Sequence, residues 1–215
     1  LIGSGKSDLQ AYKEERYSSL VGHVDDLIEL CDALNLKDSI LFGHSVGGTI
    51  GLLLANKRPD LVQQVVMIGA SPRYLNDFPD YYGGFEREDV DQILEMMELN
   101  YVGWASHLSS VALPVSEGES QTKYVEASFL ASNPKVTYQF LEITLLVDYR
   151  DMLRDVKTDT VVIQCSEDSF VPIEVAKYMA KEIKGSTLHI LSSKGHYPHV
   201  SNPEETVKAI KLSLK

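Results

Sequence analysis

Ser39-Ile40-Leu41-Phe42-Gly43-His44-Ser45-Val46-Gly47-Gly48 is the stretch that decides how this chain folds. Ile40, Leu41 and Phe42 form a short apolar strand that ends at Gly43. From Val46 to Asn56 the residues are apolar or small almost all round, the mark of a deeply buried helix. Gly43-His44-Ser45-Val46-Gly47 leaves no room for a loop between them. Strand, G-x-S-x-G and helix in direct succession predict a strained turn that projects the hydroxyl of Ser45 from the end of a sheet. Gly48 extends the small-residue surface over which helix and strand approach.

Working outward, 62–68 is the next strand, and strand, helix, strand in this order predicts a right-handed crossover with parallel pairing. Upstream, Leu20, Val21, Val24, Leu27, Ile28, Cys31 and Leu34 recur at three- and four-residue spacing, so 18–34 is an amphipathic helix that Ser18 or Ser19 can cap. Downstream, 72–156 shows helical periodicity at 90–99, 124–130 and 136–146 and little that reads as strand. Strands resume at 160–165 and 187–191, with helices at 172–183 (a proline in its first turn) and 203–214. Asn202 is placed to cap the last helix, Pro203 to open it, and Glu205 to reach back as in a capping box. The expected organisation is an α/β core in two parts, 1–71 and 157–215, interrupted by a helical lid at 72–156.

A serine hydroxyl attacks well only when a base takes its proton. His196, in Lys194-Gly195-His196-Tyr197-Pro198-His199, lies between the last strand and the last helix, where the order serine, acid, histidine needs its base. Asp168 follows the strand at 160–165 and is the expected acid, orienting the imidazole and stabilising its protonated form. The N–H of Val46, at the start of the buried helix, is the expected oxyanion donor. His44 points away from the serine at such a turn and reads as a packing or hydrogen-bonding residue, and His199 packs near the capping turn. His189, His196 and His199 have no acidic partner at ligand spacing, so no metal is expected, and no cofactor. Gly3-Ser4-Gly5-Lys6-Ser7 looks like the end of a phosphate-binding loop, but no strand precedes it and no buried helix follows, so it reads as a plain loop. Tyr74, Phe78, Tyr81, Tyr82, Trp104, Phe129, Phe140 and Tyr149 are aromatics available to a pocket or to the insertion's own core.

A net charge of −11 argues against a nucleic-acid partner. No apolar run approaches the roughly 20 residues of a membrane-spanning helix. Cys31 and Cys165 sit in apolar contexts and read as small buried hydrophobes in a reducing compartment; with no signal segment legible, the expected location is cytoplasmic.

With these residues in view the chain resembles the α/β-hydrolase superfamily, and within it the RsbQ-type bacterial hydrolases and the karrikin and strigolactone receptors of plants. Gly43-His44-Ser45-Val46-Gly47, Tyr74-Leu75-Asn76-Asp77, Tyr81-Tyr82-Gly83-Gly84-Phe85-Glu86, Asn100-Tyr101-Val102-Gly103-Trp104-Ala105, Gln164-Cys165 ahead of Asp168, and Gly195-His196-Tyr197-Pro198-His199 carry the likeness. The resemblance implies an α/β-hydrolase fold, a mostly parallel sheet with flanking helices and a four-helix lid over an apolar pocket. It implies small esters or butenolide-like lactones as substrates, and as an alternative a signalling role beside a phosphatase-type protein partner in a stress response. That family's sheet has further strands, and a second oxyanion N–H, ahead of the elbow strand. None is legible before Leu1, so the expected sheet lacks its N-terminal strands.

Overall fold

Strands buried on both faces of a parallel sheet must be apolar along their whole length, and Val65-Val66-Met67-Ile68 and Val161-Val162-Ile163 meet that condition. The computed structural model describes residues 1–113 and 119–214. Among these, the sheet has four strands, β1 (Ser39–His44), β2 (Val62–Ile68), β3 (Asp159–Glu167) and β4 (Thr187–Lys194). They run parallel in the order β1-β2-β3-β4. His44 pairs with Ile68 and Ile68 with Ile163, so β1 and β2 end at one level, and β3 runs on from there to Glu167. The carboxyl ends of a parallel sheet are where ligands bind.

The helices are α1 (Leu20–Ala33), α2 (Val46–Lys57), α3 (Arg87–Leu99), α4 (Tyr101–Ala112), α5 (Glu119–Leu130), α6 (Pro134–Leu146), α7 (Ile173–Glu182), α8 (Pro198–Ser201) and α9 (Pro203–Ser213). Alternate residues of the strands serve opposite layers, as the two-residue period requires. Val65, Met67 and Val162 face a core built with Leu20, Ile50, Leu54, Val175 and Met179 of α1, α2 and α7. Val66, Ile68, Val161 and Ile163 face the other way, against Ala209 and Ile210 of α9. Gly48 explains how closely α2 lies on the sheet: a methyl group there would stand 2.8 Å from the Ala70 Cβ.

Several local expectations change on inspection. Pro172 is the cap residue before α7 rather than part of its first turn. Ser19 occupies the cap position of α1 without a side-chain capping bond. Asn202 does cap α9, accepting from the Glu205 N–H. Glu205 does reach back to Asn202, but to its side-chain amide at 3.1 Å rather than its backbone; its carboxylate also accepts from the backbone N–H groups of Ser192 and Ser193 and from the Ser192 hydroxyl. Strand-end donors take the place of the Asn202 backbone N–H and fasten α9 to β4. Gly3 to Ser7 is a loop followed by a short 3₁₀ turn at Leu9–Ala11.

Between β2 and β3 the chain leaves the sheet. Tyr149 N–H donates to the Pro72 carbonyl, and Arg73 pairs with Asp148 at 2.9 Å, closing the neck of the excursion. Helices α3 to α6 follow. Polar side chains accept from the free N–H groups at the start of three of them: Glu86 with Asp89 as a capping box on α3, Asn100 on α4, and Asn133 ahead of Pro134 on α6. Helix α4 is an addition to the three helices that periodicity picks out; Asn100 ends α3 and caps α4 at once. Cys31 and Cys165 are buried and unpaired, and no helix among the described residues is long and apolar enough to cross a membrane.

Candidate active site

Gly43 makes the turn after β1 possible. A side chain there would put its Cβ 2.4 Å from the backbone of Gly47 and Gly48, a clash that nothing flexible relieves. Gly47 itself would meet nothing within 4 Å, so the steric demand falls on Gly43 and Gly48. Ser45 is consequently forced to φ 54°, ψ −130°, a region a serine enters only under constraint. Its own N–H is tied to the Ile68 carbonyl at 2.8 Å, which fixes the strained residue to the next strand. Val46 begins α2, so its N–H has no partner within the helix and lies at the positive end of the helix dipole.

His196 and Asp168 meet Ser45 from the two later strand ends. His196 Nε2 lies 2.9 Å from Ser45 Oγ, and Nδ1 lies 2.9 Å from Asp168 Oδ2 and 3.1 Å from Oδ1. An ionised carboxylate only accepts, so Nδ1 carries the proton, Nε2 is the acceptor, and the Ser45 hydroxyl donates to it. The His196 and Asp168 side chains are 6% and 1% exposed. Burial pushes the Asp168 carboxyl up, but His196 and the N–H groups of Phe170 and Val171 outweigh it and hold it below the usual range. Those two N–H groups, at 2.9 and 3.1 Å, together with the Gln164 amide at 3.0 Å, fix the carboxylate in place.

His196 is held on all sides. Its ring is packed by Phe170, His44 and Tyr197 with centroids 5.1, 4.8 and 5.5 Å away. His44 Nε2–H donates to the His196 carbonyl at 2.7 Å, as its placement away from the serine requires. Burial, then the neighbouring His196 and His199, hold His44 well below the ordinary histidine range, so it stays neutral. The N–H of His196 donates to the carbonyl of Ala112, the last residue of α4, at 2.7 Å. His199 lies with its ring against His44 and Tyr197, and His189 is engaged with Ser213 Oγ at 3.0 Å, away from the serine.

Above Ser45 is a cavity of about 230 Å³. Ser45, Val46, His196 and Tyr74 form its polar end, and α3 to α6 supply Ile93, Trp104, Leu108, Phe129, Phe140 and Leu141. Of the aromatics noted in the sequence, Tyr74, Trp104, Phe129 and Phe140 line it. Phe78 and Tyr82 stack on each other at the exposed surface, while Tyr81 and Tyr149 pack in the core. Sequence reasoning missed Phe85, Phe170 and Tyr197 as lining residues. All three come from irregular segments, where no period fixes the direction of a side chain; only the adjacency of Phe170 to Asp168 and of Tyr197 to His196 hints at them.

A family model described as the alpha/beta hydrolase fold matches residues 1–203. The chain is 32% identical over 210 residues to the Karrikin insensitive 2 receptor CA of Petunia hybrida, covering 97% of this chain and 77% of the relative. It is 30% identical over 215 residues to the strigolactone esterase D14 of Arabidopsis thaliana, covering all of this chain and 80% of that one. Among solved structures, a hydrolase from Oleispira antarctica superposes with a TM-score of 0.94 at 34% identity, over 98% of this chain and 77% of that one. Sheet, elbow and these likenesses agree: the chain belongs to the α/β-hydrolase family.

Proposed function

We propose that the protein is a serine hydrolase that cleaves small apolar esters or butenolide-like lactones through an acyl-enzyme, with Ser45 as nucleophile, His196 as base and acid, and Asp168 as the orienting carboxylate. The continuous line Ser45 Oγ, His196, Asp168, with 2.9 Å at each step, carries this reading. As Ser45 attacks the carbonyl carbon, His196 takes its proton and Asp168 stabilises the imidazolium; the Val46 N–H receives the developing oxyanion. His196 then protonates the leaving oxygen, and water repeats the sequence to free the acid. Serine chemistry of this kind needs no metal or cofactor. The apolar walls favour a small ligand whose main polar group is the scissile ester, and the similarity to a strigolactone esterase and a Karrikin insensitive 2 receptor supports such a ligand. Segment 72–156 serves as a lid between the core parts 1–71 and 157–215, and two free, buried cysteines suit a cytoplasmic setting. The test is a burst experiment with p-nitrophenyl acetate and peptide mapping of the adduct. Acetyl on Ser45, with turnover reduced about a millionfold in Ser45→Ala, is the expected outcome; full turnover in Ser45→Ala sinks the proposal.

The bond between His196 N–H and Ala112 favours one second reading, because it joins the helices over the cavity to the site beneath. In it, slow hydrolysis is part of sensing, and the helical segment offers a ligand-dependent face to a phosphatase-type protein partner in a stress response. A pull-down whose yield never depends on ligand overturns that reading.

A further inference from the structure

Tyr74 stands out in the cavity as a group the triad does not use. It follows β2 closely and is 3% exposed. Its backbone is clamped: the Tyr74 carbonyl accepts from Phe85 N–H at 3.1 Å, and Gly83 packs so closely that a Cβ there would meet the Tyr74 carbonyl oxygen at 2.5 Å. The Arg73 carbonyl beside it accepts from the Tyr81 and Ser71 hydroxyls. The ring therefore has little freedom to move. Among the described residues its hydroxyl has one hydrogen-bond partner, Ser45 Oγ, at 3.4 Å.

Proton bookkeeping fixes the direction of that contact. The Ser45 hydrogen is given to His196 Nε2, so Oγ has only acceptor capacity left and the Tyr74 hydroxyl must donate. At 3.4 Å the contact is far longer than a well-formed O–H···O bond, so the buried phenol is under-used while Oγ is neutral. Hydrogen bonds strengthen and shorten when the acceptor carries charge. Burial also pushes the phenol's acidity well outside the working pH range, so it remains a donor throughout.

Building on the hydrolase reading above, we propose that Tyr74 is a fourth catalytic residue, whose O–H donates to Ser45 Oγ and acts chiefly when the acyl-enzyme breaks down. In acylation the Oγ–C bond forms, the bond from carbonyl carbon to alcohol oxygen breaks, and the serine proton travels through His196 to that oxygen. A donor on Oγ then has opposing effects, blunting the lone pair and stabilising its charge. In deacylation the water–carbon bond forms, the C–Oγ bond breaks, and the water's proton passes through His196 to Oγ. Here Oγ is the leaving group, and the Tyr74 bond favours its departure without giving up its own proton. An interaction stronger in the transition state than in the ground state speeds that step.

The experiment is stopped-flow hydrolysis of p-nitrophenyl acetate by Tyr74→Phe, read beside wild type. The burst rate should change less than about threefold, while the steady-state rate falls about tenfold, the scale of one bond to a charging oxygen. Acetyl-Ser45 should accumulate in intact mass spectra. Burst and steady state falling together, or neither changing, overturns the proposal. Replacement of Tyr74 by 3-fluorotyrosine, a stronger donor of nearly the same shape, should raise the steady-state rate above wild type, and an unchanged rate counts against it even if Tyr74→Phe folds poorly. Loss of the hydrolase reading itself would look different: no acetyl on Ser45 in wild type.

Discussion

The loops at the end of the sheet and the helices between β2 and β3 build one cavity by opposite means. The loops place Ser45, Asp168 and His196 through backbone constraint: a forced φ at the serine, two N–H groups on the aspartate, and a carbonyl bond at each side of the histidine. The helices offer a mainly apolar wall, Trp104, Phe129, Phe140 and Leu141, with Thr137, Thr144 and the Ala112 carbonyl as their polar contributions. Chemistry therefore rests on geometry that tolerates little change, whereas the wall rests on volume, which cores accept in many combinations. Changes in the first region should stop turnover, and changes in the second should shift selection or local stability.

The sharpest way to break the contrast is Asp168→Asn. It keeps the size of the side chain but favours the wrong histidine tautomer, and turnover should fall on the order of ten-thousandfold while the protein, though less stable without the ionised carboxylate, stays folded near neutral pH. A steady-state assay with circular dichroism decides it; a small loss of rate would mean that His196 is oriented by its packing alone.

Next in size is a test where the core helix α1 meets the helical region. His23 of α1 is 2% exposed, and its ring meets Phe140 of α6 edge-on at 5.0 Å. Burial lowers its pKa from 6.5 to about 4. Between those values the unfolded chain binds the proton and the folded one does not, so stability is complete above the unfolded pKa and declines as pH falls toward about 4. The loss should be on the order of 3 kcal/mol. Urea melts of wild type and His23→Phe across this window should diverge, the variant losing that part of the slope; parallel curves would place the proton elsewhere.

The smallest expected effect is at the neck. Arg73→Gln removes the 2.9 Å pair with Asp148, an ion pair with one-fifth of the arginine side chain exposed. About 0.5–1 kcal/mol of stability should go, less in high salt, with turnover nearly unchanged. A large loss of activity would make the neck a functional hinge rather than a clasp.

What is legible in the sequence divides along the same line. The elbow can be read because its requirement is local: Gly43 and Gly48 are needed by atoms a few residues away or on the adjoining strand. Asp168 and His196 can be found because strand ends are where such a sheet gathers its site. Helix α4 escapes periodicity because its buried stripe is made largely of small or polar residues, Ala105, Ser109 and Ala112 beside Trp104, while the apolar Val102 and Val111 face outward at 61% and 38% exposure. Glu205 is only half legible: it does bond the Asn202 side chain, but its backbone partners, Ser192 and Ser193, belong to a neighbouring strand that a local capping pattern does not include. Local sterics are written in sequence; the choice among competing tertiary partners is not.

The hydrogen bond from His196 N–H to the Ala112 carbonyl turns the roof of the cavity into a transmission. An acyl chain too long for about 230 Å³ should press on the wall to which α4 contributes Trp104 and Leu108, and a shift of α4 would pull on the backbone of the proposed base, His196. The cost of excess length should then be recorded in rate more than in affinity. Across p-nitrophenyl esters from acetate to octanoate, kcat should collapse beyond a threshold length while KM stays nearly flat; a rising KM at constant kcat would show that roof and base move independently.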